Sequence, residues 1–488
     1  MKKIYLIHII VLIFVIANIL NLKNLSLIDW DEGAFVLQAK YLATMGAQGK
    51  PFNFQTPPLY QMIIALLFKI FGEHAWLMPL ISIISSAVTI YFLFSFGKSL
   101  YNEITGLIAV ILFISTEFFF FFSKSGLSDA FFLLFFVGAV YFFYQSIKAN
   151  QIVYYLFCCL FTVFACYTKY TGPVLFLIFL FIGTTRRKEL NKSWFIFAII
   201  IPILLLLPYI IIFIKIVSIT NITQRHGKLL GINHLKFLYY IIRFAPLIFL
   251  SGIFYRMKEK TDYFILAIII IFFIVLGFYY PYLRLAYPLI PFLSLFSAAL
   301  LYKLKKIRYY LLALIFFFNI LIGHNTLIYN SKFPLLIAQR VESLKKKYNN
   351  TYLFALVPPN IVFYFDGTIL QSESNIPTAL RNIKNLQIRE IIKKDENLLR
   401  KEKYLLLIYS SIFEDFSEKF KSIRERAIEK DSIEFIDAPI YYKDIFNSLR
   451  TKKQIYEIYA VSIEKLDTLT LTNLWKMAFE PGMTVIKD

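Results

Sequence analysis

Asp29-Trp30-Asp31-Glu32-Gly33-Ala34-Phe35 opens a polar stretch, DWDEGAFVLQAKYLATMGAQGKPFNFQTPPLY (29–60), that lies between an apolar opening segment and a long series of apolar runs. Three carboxylates, Asp29, Asp31 and Glu32, stand within its first four residues. Carboxylates crowded beside a membrane repel one another and resist leaving water, so such a cluster points to function. Phe35, Leu37 or Gln38, and Tyr41 and Leu42 recur at helical spacing, which predicts a short helix along the membrane surface beginning near Asp31. Asp29 would cap that helix, and Asp31 and Glu32 would occupy its first turn, where the helix dipole favours negative charge. A capped interfacial helix and a catalytic acid pair both remain open at this point.

The flanks of this stretch decide the fold. The chain has 488 residues, 58% hydrophobic and 18% aromatic, with 53 Phe. Apolar runs of about 20 residues, enough to cross about 30 Å of hydrocarbon, recur through its first two thirds. The expected architecture is a polytopic α-helical membrane protein of eleven spans near 4–22, 76–96, 104–122, 127–147, 152–168, 170–183, 194–214, 235–254, 262–280, 283–302 and 308–328. The first run follows Lys2 and Lys3 and has no small-residue cleavage site, so it reads as a retained helix. Leu59–Phe71, between Pro57-Pro58 and Gly72, is too short to span and reads as a re-entrant or interfacial helix. The first outer loop thus carries interfacial helices.

The formal charge of +21 does not point to nucleic acid, because of where it lies. From residue 333 onward 24 Lys and Arg stand against 21 Asp and Glu, so 18 of the 21 excess charges belong to the membrane portion. There they act as topology signals. Lys2 and Lys3; Lys98; Lys148; Arg186, Arg187, Lys188 and Lys192; Arg256, Lys258 and Lys260; and Lys303, Lys305, Lys306 and Arg308 fall on one set of loops. The opposite loops are longer and poorer in cations. By the positive-inside rule the N-terminus is cytoplasmic, and everything after about residue 329 lies outside the inner (plasma) membrane, on the periplasmic or extracellular face. Asp31, Glu32, Asp129, Lys169, Arg225, His226 and Arg284 then share that outer face and are expected to converge on one site.

Beyond residue 330 the pattern changes to short mixed segments. A helix-like 334–348, strand candidates Tyr352–Val357 and Tyr404–Tyr409, an apolar Ile361–Phe365 and amphipathic charged helices between and after them predict a soluble α/β domain. The chain therefore divides into a transmembrane domain, 1–330, and an outward-facing soluble domain, 331–488. Lys215–His234 is expected to form a long, mobile outer loop. Cys158, Cys159 and Cys166 share one apolar segment and read as packing residues.

Several chemistries are absent. There is no Walker A loop, HExxH, GxSxG or CxxC, which argues against ATP-driven pumps, zincins and ordinary hydrolases. His8, His74, His234 and His324 show no ligand spacing, so no histidine metal site is expected. Asp29-Trp30-Asp31 spells DxD, a pattern associated with metal-bound nucleotide sugars. On the outer face an enzyme would draw instead on a lipid-linked donor.

An ordered set of motifs then stands out: Asp31-Glu32-Gly33-Ala34-Phe35, Thr56-Pro57-Pro58-Leu59, Phe71-Gly72-Glu73, Ser128-Asp129, Thr168-Lys169-Tyr170-Thr171-Gly172-Pro173, and Arg284-Leu285-Ala286-Tyr287-Pro288-Leu289-Ile290-Pro291. Over about residues 1–330 this resembles the GT-C type polyprenyl-phosphate-sugar-dependent glycosyltransferases, and within them the bacterial protein-mannosyltransferase and aminoarabinose-transferase group. The resemblance implies that Asp31, with Glu32, forms the acid pair of the first outer loop, with Asp31 the base, and that Asp129 is a second catalytic acid. It assigns Lys169, Arg284 and Tyr287 to the donor phosphate. Where the family often carries a lysine before its Pro-Pro pair, this chain has Thr56.

Simple chemistry agrees with those roles. A hydroxyl nucleophile must lose a proton, for which Asp31 is suited, with Glu32 orienting it or tuning its pKa. The leaving phosphate needs cations more than a proton donor, and Lys169, Arg225, His226 and Arg284 can supply them. Asp129 also reads as a helix cap, Lys169 and Arg284 as snorkelling anchors, and Tyr279, Tyr280, Tyr282 and Tyr287 as an aromatic belt. The expected activity is inverting transfer of a sugar from a polyprenyl-phosphate donor to a hydroxyl of a lipid, glycan or protein. Membrane lipids are the other partner, and nucleic acid is not one. No cofactor is assigned, and a divalent metal between Asp31 and the phosphate is left open. A secondary transporter or lipid flippase is the alternative; helices almost free of internal charge argue against it.

Overall fold

The structure, a computed structural model, describes residues 2–28, 30–46, 52, 56–216, 232–246, 248, 259–279, 281–304, 306–328, 333–349, 351–356, 359–365, 369–370, 403–410, 421–436 and 453–466. The apolar opening run forms α1 (Lys2–Leu20), and the polar stretch forms α2 (Trp30–Ala43) and α3 (Leu59–Phe71). There follow α4 (Leu77–Leu100), α5 (Glu103–Ile114), α6 (Glu117–Phe122), α7 (Asp129–Ala149), α8 (Ile152–Thr168), α9 (Val174–Thr185) and α10 (Lys192–Ile216). Further helices cover Ile232–Phe244, Lys260–Leu276, Ile290–Lys303 and Ile307–Ile328, the third preceded by a 3-10 segment, Leu283–Leu289.

Among the described residues, four helical stretches are long and apolar enough to cross a membrane: Leu77–Leu100, Asp129–Ala149, Lys192–Ile212 and Leu283–Lys303. Shorter apolar helices occupy Tyr5–Leu20, Leu59–Phe71, Glu103–Ile114, Ile152–Thr168, Val174–Thr185 and Ile307–Leu321. Helix thus appears in every expected span, although the one near 235–254 is only partly described. The expected span 104–122 is broken at Ser115-Thr116, where both hydroxyls turn back on backbone carbonyls, to Leu112 and Phe113, each at 2.8 Å. Thr116 then caps α6, accepting from the Phe119 amide at 3.3 Å. Buried Asn319 holds the break by donating to the Ser115 hydroxyl at 2.8 Å.

The C-terminal part carries a helix, Phe333–Lys347, and a mixed five-stranded sheet of β1 (Thr351–Leu356), β2 (Ile369–Leu370), β3 (Tyr404–Ser410), β4 (Glu429–Ile436) and β5 (Lys453–Ser462) in the order β2-β1-β3-β5-β4. β1 runs parallel to β2 and β3, and β5 runs antiparallel to β3 and β4. Two of these strands correct the expectation of charged amphipathic helices after Tyr404–Tyr409. β5 is paired on both sides, with β3 and β4, and Tyr456, Ile458 and Ala460 on one of its faces enter a shared core cluster. The apolar Ile361–Phe365 continues out of a short helical turn, Pro359–Val362.

Two cores result. The larger lies among the membrane-region helices and is rich in aromatic rings such as Phe96, Phe113, Phe136 and Phe143. The second joins the first loop to the C-terminal part, with Leu37, Ile64 and Phe68 of α2 and α3 packed in one cluster with Ile337, Leu353, Leu406 and Ile458. Phe68 stacks on Phe363, ring centroids 6.2 Å apart, across that junction. The acid-bearing helix is therefore wedged between the bundle and the sheet.

Candidate active site

Asp31 and Glu32 stand in the first turn of α2. They point to different tasks. Glu32 is fully buried and its two oxygens accept backbone amides, Ile28 at 2.5 Å and Gly126 at 2.6 Å. It ties the start of α2 to the loop before α7, as charge-assisted bonds of this kind can. Gly126 permits the approach, since a Cβ there would meet Met78 Cβ at 3.1 Å and the Glu32 carboxyl carbon at 3.4 Å. The Asp31 side chain is 37% exposed and forms an ion pair with Arg284.

Arg284 lies in the 3-10 segment Leu283–Leu289, with its guanidinium carbon 5.4 Å from the centre of the Tyr282 ring. Pro288 and Pro291 each lack a backbone amide proton, and the second begins the helix Ile290–Lys303. Tyr287, assigned to the donor phosphate from the motif, is instead buried in aromatic packing at 1% exposure. Its ring stacks on Phe118 at 6.1 Å and Phe113 at 6.0 Å. Its hydroxyl has no hydrogen-bond partner among the described residues.

Asp129 is the first residue of α7, and Ser128 makes no side-chain cap bond there. The Asp129 carboxylate takes the Lys169 ammonium at 2.5 Å, with Asp129 2% and Lys169 14% exposed. One oxygen, Oδ2, is buried without a hydrogen-bond partner among the described residues. Lys169 ends α8, where the backbone turns sharply, Gly172 donating to the Lys169 carbonyl at 2.9 Å. A Cβ on Gly172 would come within 2.6 Å of the Cys166 Cα and 2.7 Å of the Ala165 carbonyl carbon, so only glycine lets this turn lie against α8. Burial holds the Lys169 ammonium below the usual lysine range; Asp129 opposes that, Arg284 adds to it, and Asp31 opposes it. Lys169 thus lies within electrostatic range of both members of the other ion pair.

Asp31, Asp129, Lys169 and Arg284 are brought together from α2, α7, the end of α8 and the 3-10 segment. Arg225 and His226, like Asp29 and most of the expected loop 215–234, lie outside the described residues. Thr56, at the family's lysine position, donates to the Gln38 side chain at 3.4 Å and accepts from Gln61 at 3.2 Å, a neutral cluster. Tyr60 went unnoticed in the sequence; it is buried, its hydroxyl donates to the Gly126 carbonyl at 2.7 Å, and no motif marks it. His8 bonds Tyr91 and His234 bonds the Ile274 carbonyl. Among the described residues no three His, Cys, Asp or Glu side chains form a group able to hold a metal.

Two paired carboxylates and two paired cations, half in contact with solvent, can take a proton and hold an anion at neighbouring points. Comparison with known proteins adds to this. Residues 55–212 match the family described as dolichyl-phosphate-mannose-protein mannosyltransferase. No curated protein sequence matches the chain. The chain has the fold of ArnT from Cupriavidus metallidurans. The apo structure superposes with a TM-score of 0.64 at 10% identity, covering 93% of this chain and 97% of that one. The form bound to undecaprenyl phosphate gives a TM-score of 0.63 at the same identity and coverage. The oligosaccharyltransferase AglB from Archaeoglobus fulgidus, in complex with an inhibitory peptide and a dolichol-phosphate, gives 0.53 at 12% identity, over 98% of this chain and 77% of that one. The helical bundle here follows the fold of these structures.

Proposed function

We propose that this chain is a membrane glycosyltransferase that moves a sugar from a polyprenyl-phosphate donor to a hydroxyl of a lipid, glycan or protein acceptor. The observation that carries the proposal is the pair of adjoining ion pairs, Asp31–Arg284 and Asp129–Lys169. Each has a member a phosphate would attract and a member a proton would, and the neighbours of this fold hold undecaprenyl phosphate and dolichol-phosphate.

In the proposed reaction Arg284 and Lys169 take the donor phosphate, which draws Arg284 from Asp31. Asp31 then accepts the proton of the acceptor hydroxyl as its oxygen attacks the anomeric carbon. The bond from that carbon to the phosphate oxygen breaks, its electron pair leaves with the polyprenyl phosphate, and the anomeric centre inverts. Asp129 holds Lys169 in place, Glu32 fixes the turn that carries Asp31, and Arg225 and His226 add positive charge to the phosphate side.

The reading includes eleven spans, a cytoplasmic N-terminus, a membrane domain over 1–330 and a periplasmic or extracellular domain over 331–488; the loop asymmetry in Lys and Arg supports it. Transport of a solute or lipid is less favoured, because the charged cluster lies at helix ends and loops rather than at mid-helix. The test is incubation of the purified protein with labelled polyprenyl-phosphate sugars, wild type beside Asp31→Asn. Release of carrier phosphate by wild type and its loss in the variant support the proposal. Release from no donor overturns it.

A further inference from the structure

The residues just ahead of α2 are held by the far end of the chain. Leu27, fully buried, has both backbone groups satisfied by side chains of the C-terminal part: its amide donates to the Tyr364 hydroxyl at 2.9 Å, and its carbonyl accepts from the Asn360 amide nitrogen at 3.0 Å. One residue later, the Ile28 amide donates to Glu32 at 2.5 Å, and the other Glu32 oxygen accepts the Gly126 amide at 2.6 Å. Tyr60 holds the same loop residue by donating to the Gly126 carbonyl at 2.7 Å. Two hydrogen bonds thus fasten Leu27 to Tyr364 and Asn360, and from the next residue onward three more tie Ile28, Glu32, Gly126 and Tyr60 together at the loop that leads into Asp129.

Asp31 lies in sequence between Ile28 and Glu32, the two ends of one of these bonds, one of which follows directly on the fastened Leu27. Asn360 is 2% exposed, and neighbouring Phe363 stacks on Phe68 of α3, so the clamp is set in packed core rather than on a free surface. Buried backbone groups of this kind are costly to leave unpaired. A shift of one ångström at a proton-accepting group is enough to slow a reaction markedly.

We propose that Tyr364 and Asn360 are positioning residues for Asp31, so that the C-terminal module sets the geometry of the proton-accepting group. The inference rests on the proposed role of Asp31. It makes the sheet module a working part of the reaction centre and not only a surface for the acceptor.

The experiment compares full-length wild type, Tyr364→Phe and Asn360→Ala. With a polyprenyl-phosphate sugar that wild type uses, each variant is expected to lose about tenfold in kcat while its donor KM stays within about twofold. Amide hydrogen exchange of the 25–33 segment is expected to quicken by about tenfold in each, with thermal melting lowered by no more than a few degrees and gel-filtration profiles that match wild type. Exchange in that segment unchanged from wild type overturns the proposal, as does an unchanged kcat in both variants. A fall in kcat matched by an equal rise in donor KM, or by loss of folded protein, also overturns it, since that is what general loosening would give. Should wild type transfer no sugar, the assigned reaction fails, and the exchange comparison alone then decides whether these two side chains hold the segment.

Discussion

Asp31 and Arg284 form an ion pair between the first turn of α2 and the 3-10 segment Leu283–Leu289, two parts of the chain separated by most of the membrane region. Paired in this way, Arg284 must turn from Asp31 to hold a phosphate, and Asp31 must be released to meet an acceptor hydroxyl. In the proposed reaction the donor resolves both restraints at once. Asp31→Asn is expected to lower kcat by about 10²- to 10⁴-fold, the usual worth of a positioned base. Arg284→Ala is expected to act mainly through a raised donor KM. Steady-state kinetics on both variants check the division of roles, and an Asp31→Asn enzyme with wild-type kcat rejects it.

Lys169 gives the site a pH dependence. Burial holds its ammonium below the ordinary lysine range, so it loses charge at a lower pH than an exposed lysine does. Donor KM is therefore expected to rise on the alkaline side, as pH climbs through that lowered value and the phosphate loses a cation. Lys169→Arg keeps its charge over the whole range and is expected to move this limb upward. Donor KM measured from about pH 7 to about pH 10 decides; identical limbs in the two proteins sink the assignment.

Asp129 is expected to matter to stability as well as activity. Its removal in Asp129→Ala leaves the Lys169 ammonium largely buried without its partner, a change that costs about 3–5 kcal/mol. The double variant Asp129→Asn with Lys169→Gln is expected to recover most of the loss in thermal unfolding and none of the transfer. A single variant as stable as wild type contradicts this.

Gly172 is expected to reject even the smallest side chain. In Gly172→Ala the new Cβ meets backbone atoms of Cys166 and Ala165, which cannot swing aside as a side-chain tip can. The turn must move, and Lys169 with it. Donor KM is expected to rise about tenfold or more in protein that still elutes as a folded species.

The helical bundle was legible in the sequence because the length of an apolar run is a local property, and α2, α3 and the acid pair were legible for the same reason. What escaped was set by distant contacts. The break at Ser115-Thr116 depends on Asn319. β4 and β5 carry enough charge to resemble amphipathic helices, and their pairing with β3 outweighs that local pattern. Among the candidate site residues, Asp31, Asp129, Lys169 and Arg284 were singled out by their motifs, which do not say who pairs with whom. The motif around Tyr287 likewise says nothing of the rings of Phe113, Phe118 and Phe122 that surround it. The tasks of Glu32, Tyr60, Asn360 and Tyr364 consist of bonds to backbone groups, which leave no signature in side-chain sequence.

The bonds from Asn360 and Tyr364 to Leu27 also impose an order on biogenesis. α2 leaves the ribosome early, yet the side chains that fasten it are made hundreds of residues later. Until the last module has been synthesised and has reached its place, a nascent chain holds its acids in an unfinished cradle. A chain cut short before residue 360 therefore lacks the two side chains that satisfy the Leu27 backbone.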